Sequence, residues 1–475
     1  MRILTDRNIV IGLVLLQVAV CLPFITSFPI ALDEPFSIFW AQQDLGDLFL
    51  LFENENNPPL HFVLLHFWIK FFGISEIAVR SLSLIFSLIT IPIIFNFAKR
   101  FVTQPLAVLT VLLFICSRFN HFHALEARVY SLFVLLFVLV LFDLYRFLFE
   151  NKKSYFQLAL WNVLLLYSHY LGGFVIIVEI IVILLFYRQL TMKKGIQLTM
   201  SFGLSALLYI PGLILFLKRF GTFSDKGTWV PEAQYSEIYG NIIRFFNNTF
   251  TFFVIAGLIF LFLIIFRKNI MERFRRIFTE PKYLFIFCFF VFAYFGMFIF
   301  SKIIQPVFLD RYLLFTTIPL FLFLVIILGE LLPKDKQQWG LIIIIPMLIS
   351  TKWIPDNNRN PDEEAKYVRE IISDKSLIAI CPPFYDLTFI YHYNQKLFSD
   401  YKNFDERKNE KNIQSIYSFE DIENWDNFPE IIFIDANSQF TYPGNNIKSE
   451  LEKRFVIQVS NEFDGGIIIY NFVQR

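Results

Sequence analysis

Two adjacent carboxylates, Asp33 and Glu34, follow a long apolar run in the stretch FPIALDEPFSIFWAQ. One such acid can act as a general base towards an alcohol or amine, while its neighbour binds the substrate or a divalent cation. The same pair can also be an ordinary solvated end of a helix. The polar residues that share their side of the molecule decide between these two interpretations.

Two arginines favour the interpretation of a reactive site over that of a solvated helix end, because a planar guanidinium holds a phosphate through two parallel hydrogen bonds. Arg128 lies in the segment HALEARVY, and Arg311 is followed by Tyr312 in FLDRYLLF. An acid that activates a nucleophile and arginines that bind a leaving phosphate together predict group transfer from a phosphate-linked donor. The long apolar body of the chain would bind a lipid tail, so we expect this donor to be lipid-linked.

The composition indicates a polytopic membrane protein. Of the 475 residues, 56% are hydrophobic and only 17% are charged, and the mean hydropathy is +0.54. A soluble protein of this length would carry more charge. The net charge of +1 gives no reason to expect a nucleic-acid partner. The four cysteines form neither a metal-binding pattern nor a disulfide framework.

Apolar runs and basic clusters together define the spans that must position the polar residues. Runs long enough to cross a bilayer lie near residues 9–32, 75–98, 129–149, 170–187, 196–217, 249–266, 283–304 and 312–332. Shorter apolar runs lie near residues 105–117, 155–168 and 339–353. Basic clusters occur at Lys99/Arg100, Arg146/Lys152/Lys153, Arg188/Lys193/Lys194, Arg267/Lys268 with Arg273/Arg275/Arg276, and Lys334/Lys336. If basic loops stay inside, an even number of crossings must separate neighbouring clusters, so the short runs must cross too. This predicts about eleven spans with the amino terminus inside.

With basic loops inside, every other connection between spans lies outside, beginning with a first outer loop over 33–74. These outer connections and the adjoining span ends contain a set of ionisable residues. The set is Asp33, Glu34, Glu53, Glu55, His61, His66, Arg80, Arg118, His121, His123, Glu126, Arg128, His169, Asp310 and Arg311. Any single member can cap a helix, but charged groups at membrane depth are costly, so a set gathered on one side favours a site. Residues 58–73 are predicted to form an amphipathic helix in the outer interface.

From about residue 354 the chain becomes polar. A helical pattern, DEEAKYVREIIS, precedes four β-branched runs, which are SLIAI (376–380), IIFIDA (431–436), FVIQVS (455–460) and GIIIYNF (466–472). They predict a soluble α/β domain with a small mixed sheet over 354–475, after a membrane domain over 1–353. If the run at 339–353 crosses the membrane, this domain lies outside, on the face that carries the ionisable set.

Five segments occur in a recognisable order, ALDEPFSIFW, ENNPPLHFVLLHFWIKFFGISEIAVRSLS, HALEARVYSLFVLL, YSHYLGGF and DRYLLFTTIP. Through them, over residues 9–330, the chain resembles GT-C glycosyltransferases of the protein O-mannosyltransferase and aminoarabinose-transferase type. Its soluble tail is similar to those of many bacterial members. The resemblance implies an α-helical polytopic fold with juxtamembrane helices, a polyprenyl-phosphate sugar donor, an extracytoplasmic acceptor and inversion at the anomeric carbon.

Residue roles follow from the same resemblance. Asp33 is the expected general base and Glu34 its acceptor-binding or metal-binding partner. Arg128 is expected at the donor phosphate, together with Arg311 and Tyr312. Further substrate contacts are expected from His61, Glu126, Tyr130, His169 and Tyr170. The loop 218–248 is too short for the sugar-binding insert of protein mannosyltransferases, which favours a bacterial lipid, polysaccharide or glycan acceptor over a protein.

A divalent metal ion is an open alternative at this stage. Its candidate ligands are Glu34, His121 and His123, because imidazole and carboxylate together suit zinc or another divalent ion. His121 and His123 are two residues apart, a spacing that suits an extended loop better than one helix face. The histidines can equally cap helices or hydrogen-bond to the acceptor.

Two rival functions have different signatures. A lipid-linked oligosaccharide flippase or transporter would have internal repeats and charges near the midplane, whereas the sequence has no evident repeat. An O-antigen ligase or polymerase would use a pyrophosphate-linked donor and a large outer loop between late spans. The sequence favours a glycosyltransferase of the bacterial cytoplasmic (inner) membrane, with its active site and C-terminal domain extracytoplasmic.

Overall fold

A computed structural model describes residues 5–52, 57–150, 155–226, 230–355 and 359–475. Four residues of the sequence argument, Glu53, Glu55, Lys152 and Lys153, lie outside the described residues. The chain forms two compact units. The first unit contains Met1–Phe24, Phe49–Leu64 and Arg80–Trp353, and the second contains Ile25–Leu48, Leu65–Val79 and Ile354–Arg475.

Helices dominate the chain before residue 354. They are α1 (Asp6–Cys21), α2 (Glu34–Gln42), α3 (Leu45–Leu51), α4 (Leu60–Phe72), α5 (Glu76–Ala98), α6 (Gln104–Cys116), α7 (Arg118–Ala124), α8 (Tyr130–Phe149), α9 (Tyr155–Ser168), α10 (Leu171–Leu185), α11 (Met192–Leu208), α12 (Ile210–Lys226), α13 (Tyr235–Phe245), α14 (Thr249–Ile265), α15 (Ile270–Thr279), α16 (Pro281–Ile303), α17 (Thr317–Leu331) and α18 (Ile344–Ser350). Among the described residues, five helical segments are long and apolar enough to cross a membrane, or up to eight if each of three bent pairs counts as one span. The predicted count of about eleven spans therefore stays a prediction.

Two predicted runs have different structures from those expected. The run at 9–32 is not one helix, because α1 ends at Cys21 and a 3-10 turn follows over Leu22–Phe24. Pro23 lies in that turn, and proline cannot donate the hydrogen bond that continues an α-helix. The run at 339–353 is divided between a 3-10 helix, Lys334–Ile343, and the short helix α18.

Aromatic packing in the first unit joins the helices that carry the predicted site. Phe315 lies in the 3-10 helix Asp310–Thr316, and its ring packs edge-to-face on Phe133 and Phe137 of α8, with ring centres 5.4 and 4.8 Å away. Phe137 in turn packs on Phe289 of α16 at 6.4 Å. Such edge-to-face pairs stabilise beyond the area that they bury. They hold the segment that carries Arg311 against the start of α8.

The polar C-terminal residues form the predicted mixed sheet. Its strands are β1 (Ser376–Cys381), β2 (Ile413–Ser415), β3 (Glu430–Ala436), β4 (Phe455–Phe463) and β5 (Ile467–Gln474), in the order β2-β1-β3-β5-β4. β1 is parallel to β2 and β3, whereas β5 is antiparallel to β3 and β4. The helices of this part are α19 (Pro361–Ile371), α20 (Asp386–Tyr393), α21 (Gln395–Ser399), α22 (Phe404–Glu410), α23 (Ser438–Thr441) and α24 (Ile447–Arg454). The four predicted strands are confirmed, and β2 is additional.

Candidate active site

The segment that leads to Arg128 follows a break between the helices α6 and α7. α6 and α7 meet at an angle of 65°, and Ser117 between them has an extended backbone with a ψ of 114°. Asn247 bridges the break. Its side-chain oxygen accepts the Arg118 backbone N–H at 2.7 Å, and its Nδ2 donates to the Cys116 carbonyl at 3.0 Å. These bonds replace helical hydrogen bonds lost at the bend and fix the direction of α7.

His121 and His123 lie on the helix α7 and not in an extended loop, and they point to different surroundings. Residues two apart on a helix lie on different sides of it. His121 donates from Nε2 to the Trp353 carbonyl at 2.8 Å, and its Nδ1 lies 3.5 Å from the Cys21 thiol. With both ring nitrogens engaged by the protein, His121 is poorly suited to bind a metal ion.

His123 belongs instead to a buried group at the start of α8. Its Nδ1 donates to Glu126 Oε2 at 2.7 Å, and its ring centre is 4.8 Å from that of Tyr130. Ser131 Oγ donates to the His123 carbonyl at 2.8 Å. The structure therefore brings His123 and Glu126, two members of the predicted outer set, together with Tyr130, a predicted substrate contact.

Arg128 lies in the same turn and is only 7% exposed. Ser83 of α5 donates its hydroxyl to the Arg128 carbonyl at 3.2 Å, which ties this turn to α5. The Arg128 charge acts on His61, Tyr130 and His169, so these side chains lie within electrostatic range of it. A permanent cation in such a buried position needs compensating negative charge or hydrogen bonds.

Arg311 and Tyr312 lie in the 3-10 helix that follows α16. Asp310 Oδ1 accepts the Arg311 backbone N–H at 2.7 Å, while Asp310 Oδ2 pairs with Arg244 at 2.9 Å. The Arg311 guanidinium is 5.7 Å from the centre of the Tyr312 ring. The Tyr312 ring is 5.1 Å from the ring of His169, which connects this segment to α9 and α10.

Two buried histidines next to these arginines are neutral. Burial first, and then the Arg128 charge, lowers the pKa of His61 to about 3. Burial, followed by the charges of Arg128 and Arg311, lowers the pKa of His169 to about 3 in the turn between α9 and α10. The Leu171 backbone N–H donates to Nδ1 of His169 at 3.1 Å, so the ring proton of His169 is on Nε2. Nε2 of His61 is buried and has no hydrogen-bond partner within the described part of the chain.

Arg128, Arg311, His61 and His169, with Tyr130 and Tyr312 beside them, form what we call the arginine–histidine cluster. It combines two permanent cations with neutral hydrogen-bonding groups, an arrangement that suits an anion. Arg311 and Tyr312 are half-buried, and the other four side chains are buried. Tyr170, also predicted to bind substrate, packs against Phe216 with ring centres 5.2 Å apart.

Asp33 and Glu34 belong to the second unit and begin a helix instead of ending one. Asp33 is the N-cap of α2, and Glu34, its first residue, is 2% exposed. The positive end of the helix dipole favours carboxylates at this position. Leu32, directly before them, has a φ of +57°, a left-handed conformation that strains a leucine. Such strain is found most often at functional sites.

Within the second unit, the C-terminal domain holds α2 at two points. His392 of α20 donates from Nε2 to the Ile30 carbonyl at 2.7 Å, just before the strained residue. The Phe39 ring of α2 packs against the rings of Phe398 and Phe404, with centres 5.6 and 4.7 Å away. The C-terminal domain therefore fixes the helix whose first residues are the two predicted acids.

The candidate metal ligands do not form a cluster. Among the described residues, no group of three or more His, Cys, Asp or Glu side chains is arranged to hold an ion. His121 is engaged at both ring nitrogens, and His123 donates to Glu126. The metal alternative therefore has no geometric support from these residues, and it stays a prediction for Glu34, His121 and His123.

Sequence reasoning did not predict that Arg80 is fully buried, and it did not single out Glu179 at all. Arg80, in the first turns of α5, has no exposed surface, although the sequence placed it only among the outer ionisable residues. Glu179, in the middle of α10, is also fully buried, and Asn162 of α9 donates to it at 3.2 Å. An ionisable residue inside an apolar run is the signal that could have identified both.

The chain is similar to known proteins in part of its sequence and in its fold. Residues 56–214, less than half of the chain, match the family model described as dolichyl-phosphate-mannose-protein mannosyltransferase. A search of curated proteins found no match.

Two solved structures are similar over nearly the whole chain. One is ArnT from Cupriavidus metallidurans in the apo state, with a TM-score of 0.60, 12% sequence identity, and coverage of 97% of this chain and 98% of that one. The other is ArnT from the same organism bound to undecaprenyl phosphate, with a TM-score of 0.55, 10% identity and 98% coverage of each chain. Similarity at these identities shows the fold. The predicted resemblance and fold class are confirmed, and the two comparisons together indicate a glycosyltransferase.

Proposed function

We propose that this protein is a membrane glycosyltransferase that moves a sugar from a polyprenyl-phosphate donor to a lipid, polysaccharide or protein acceptor on the extracytoplasmic face. The observation that carries the proposal is the arginine–histidine cluster in a GT-C fold. The similar ArnT structure that contains undecaprenyl phosphate supports the choice of donor, since that molecule is a polyprenyl phosphate.

The charge of the cluster matches the charge change of the reaction. A polyprenyl-phosphate sugar is a phosphodiester with one negative charge, and the departing polyprenyl phosphate gains a second one. Arg128 and Arg311 can stabilise this developing charge, and stabilisation is strong where water is excluded. His61 and His169 are neutral, so they add hydrogen bonds to the phosphate without adding charge that would hold the product too tightly.

The proposed step conserves atoms and charge. The acceptor oxygen or nitrogen forms a bond to the anomeric carbon, and the bond from that carbon to the phosphate oxygen breaks. The electron pair of the broken bond leaves with the polyprenyl phosphate, and Asp33 takes the proton from the acceptor as a general base. Attack opposite to the leaving group inverts the anomeric centre. Glu34 is proposed to orient the acceptor.

A cavity in the second unit fits an acceptor rich in hydroxyl groups. Its volume is about 410 Å³, and its lining includes the aromatic residues Trp40, Tyr401 and Phe404 and the acids Asp405 and Glu406. Aromatic surfaces with a few carboxylates that accept hydrogen bonds suit a sugar ring. We therefore favour a polysaccharide or the head group of a glycolipid as the acceptor.

Donor binding by Arg128 variants tests the phosphate assignment. Arg128→Lys keeps the charge but loses the two-pronged geometry, and Arg128→Ala loses both. Arg128→Ala should weaken binding of undecaprenyl phosphate by roughly 10-fold to 100-fold, the scale of a hydrogen bond to a charged group. The affinity of Arg128→Lys should lie between those of Arg128→Ala and wild type. Arg118→Lys, a conservative change nearby in α7, is the matched control and should bind normally. Arg128→Ala that binds as tightly as wild type would disprove the assignment.

A further inference from the structure

A second charged cavity lies at the other end of the first unit. Its volume is about 540 Å³, and its lining comes mainly from residues 99–103, which follow α5, from α15, and from the C-terminal end of α17 with the segment after it. Ser83 of α5 binds the Arg128 segment, and Lys99 directly follows the end of α5. The sixteen residues between these positions correspond to about 24 Å along the helix axis. This cavity is therefore separate from the arginine–histidine cluster, and it has no part in the proposed reaction.

Basic residues dominate the lining of this cavity. It contains five cationic side chains and two carboxylates, which are Lys99, Arg100, Arg273, Arg276 and Lys334, and Glu272 and Glu330. Two of these cations have partners outside the lining, because Lys99 pairs with Asp6 and Arg100 pairs with Glu150 at 3.1 Å. The described residues therefore leave an excess of one positive charge, on the side where Arg273, Arg276 and Lys334 lie, and a positive concave site attracts anions. The lining belongs to the face that the positive-inside pattern predicts to be cytoplasmic.

The cations of the cavity differ in how firmly the protein holds them. Arg273 donates to the Leu331 carbonyl at 2.6 Å and so caps α17. Arg276 makes only long contacts, 3.5 Å to Glu330 and 3.7 Å to Glu272, and its side chain is 54% exposed. Ion pairs that are this long and exposed contribute little. Arg276 can exchange them for a phosphate oxygen, which makes shorter and stronger charge-assisted bonds.

The helix that carries Arg276 also has an exposed apolar side, which lies away from the cavity. On α15, Met271 is 80% exposed and Phe278 is 50% exposed, whereas Arg273 and Arg276 line the cavity. A short helix with basic and apolar sides is typical of one that lies in the membrane interface. If its apolar side lies in the membrane interface, its basic side faces the cavity at the level of the lipid head groups, which favours a ligand that has both a phosphate and hydrocarbon chains.

We propose that this cavity binds the head group of an anionic phospholipid at the face opposite to the arginine–histidine cluster. The phosphate contacts Arg276 and Lys334, and the acyl chains pack beside Met271 and Phe278. Basic cavities between helices at the cytoplasmic boundary commonly bind anionic lipid head groups.

Binding of fluorescently labelled phosphatidylglycerol to the purified full chain in mild detergent tests the proposal. The variant Arg276→Gln/Lys334→Gln removes two exposed cations of the cavity. The matched control, Lys268→Gln/Arg275→Gln, removes the same charge from positions on or beside α15 that do not line the cavity. The cavity variant should bind about 30-fold more weakly than wild type, since each cation near an anionic lipid contributes about fivefold, and the control should change less than threefold.

Every outcome distinguishes the alternatives. Equal weakening in both double variants would show general electrostatic attraction and overturn the proposal, as would normal binding by the cavity variant. If the double variant fails to fold, Lys334→Gln alone, at an exposed position, should still weaken binding by about fivefold. Competition separates the two sources of phosphate. Unlabelled phosphatidylglycerol should displace the probe, and displacement by inorganic phosphate at the same concentration would overturn the lipid in favour of a soluble anion.

Discussion

The contact between α2 and the C-terminal domain gives the sharpest prediction about how the acids are held. Phe39 is 7% exposed and packs between Phe398 and Phe404. Replacing a buried phenylalanine by alanine costs about 3–5 kcal/mol. Because Phe39 also adjoins an open cavity, we expect the lower value, about 3 kcal/mol, for Phe39→Ala. That free energy raises the population with α2 detached about 100-fold.

Hydrogen exchange measures this population directly. In Phe39→Ala the amides of α2 should exchange about 100-fold faster than in wild type, while those of β1 and β3 keep their protection, because the sheet core does not depend on Phe39. Turnover should fall, while the affinity for undecaprenyl phosphate should stay normal, since the proposed phosphate ligands belong to the first unit. Phe440→Ala makes the same change at a site that is 84% exposed, and it is the control.

Two results would refute this reasoning. Exchange of α2 within threefold of wild type in Phe39→Ala would mean that other contacts hold the helix. Faster exchange with unchanged turnover would mean that the position of Asp33 does not matter for the reaction, and it would remove the C-terminal domain from its proposed positioning role.

Four further predictions concern single features. Asp33→Asn should fold and bind donor normally but lose roughly 100-fold or more in turnover, the scale of a lost general base, in a steady-state assay. Transfer should persist in EDTA, because the described candidate ligands form no metal cluster; activity restored only by one divalent ion would contradict this. Reporters fused after Lys194 and Arg475 should lie on opposite sides of the membrane. Burial raises the pKa of Glu364 from 4.5 to about 7. The contribution of this carboxyl group to stability is therefore complete below about pH 4.5 and is lost as the pH rises through 7. Thermal unfolding curves of Glu364→Gln should lack this decline.

The sequence predicted those parts of the fold in which the local pattern of apolar residues matches the surroundings that those residues have in the folded protein. Four strands of the C-terminal sheet were predicted because short β-branched runs bounded by polar residues are typical of strands. The first span was predicted too long, since residues 25–32 are as apolar as α1 although they belong to the second unit. Hydropathy records how apolar a residue is, but not which unit buries it.

The candidate site was predictable as a set of residues but not as an arrangement. Arg128, Arg311 and His169 could be selected from the sequence because charged groups in apolar surroundings are costly, and the structure places both arginines within electrostatic range of His169. The break between α6 and α7 was not predictable, because it depends on Asn247 binding the end of α6 and the start of α7 from more than a hundred residues away. Contacts of that range leave no local pattern.

The central claim is most directly tested by following both products of one turnover. The purified full chain in lipid nanodiscs would receive polyprenyl-phosphate sugars of several kinds together with isolated envelope glycans and lipids. We expect one molecule of polyprenyl phosphate to be released for each new glycosidic bond, with both yields reduced in Asp33→Asn and in Arg128→Ala. Movement of an intact lipid-linked sugar across a sealed vesicle membrane, with no glycosidic bond formed, would contradict the claim and identify a transporter.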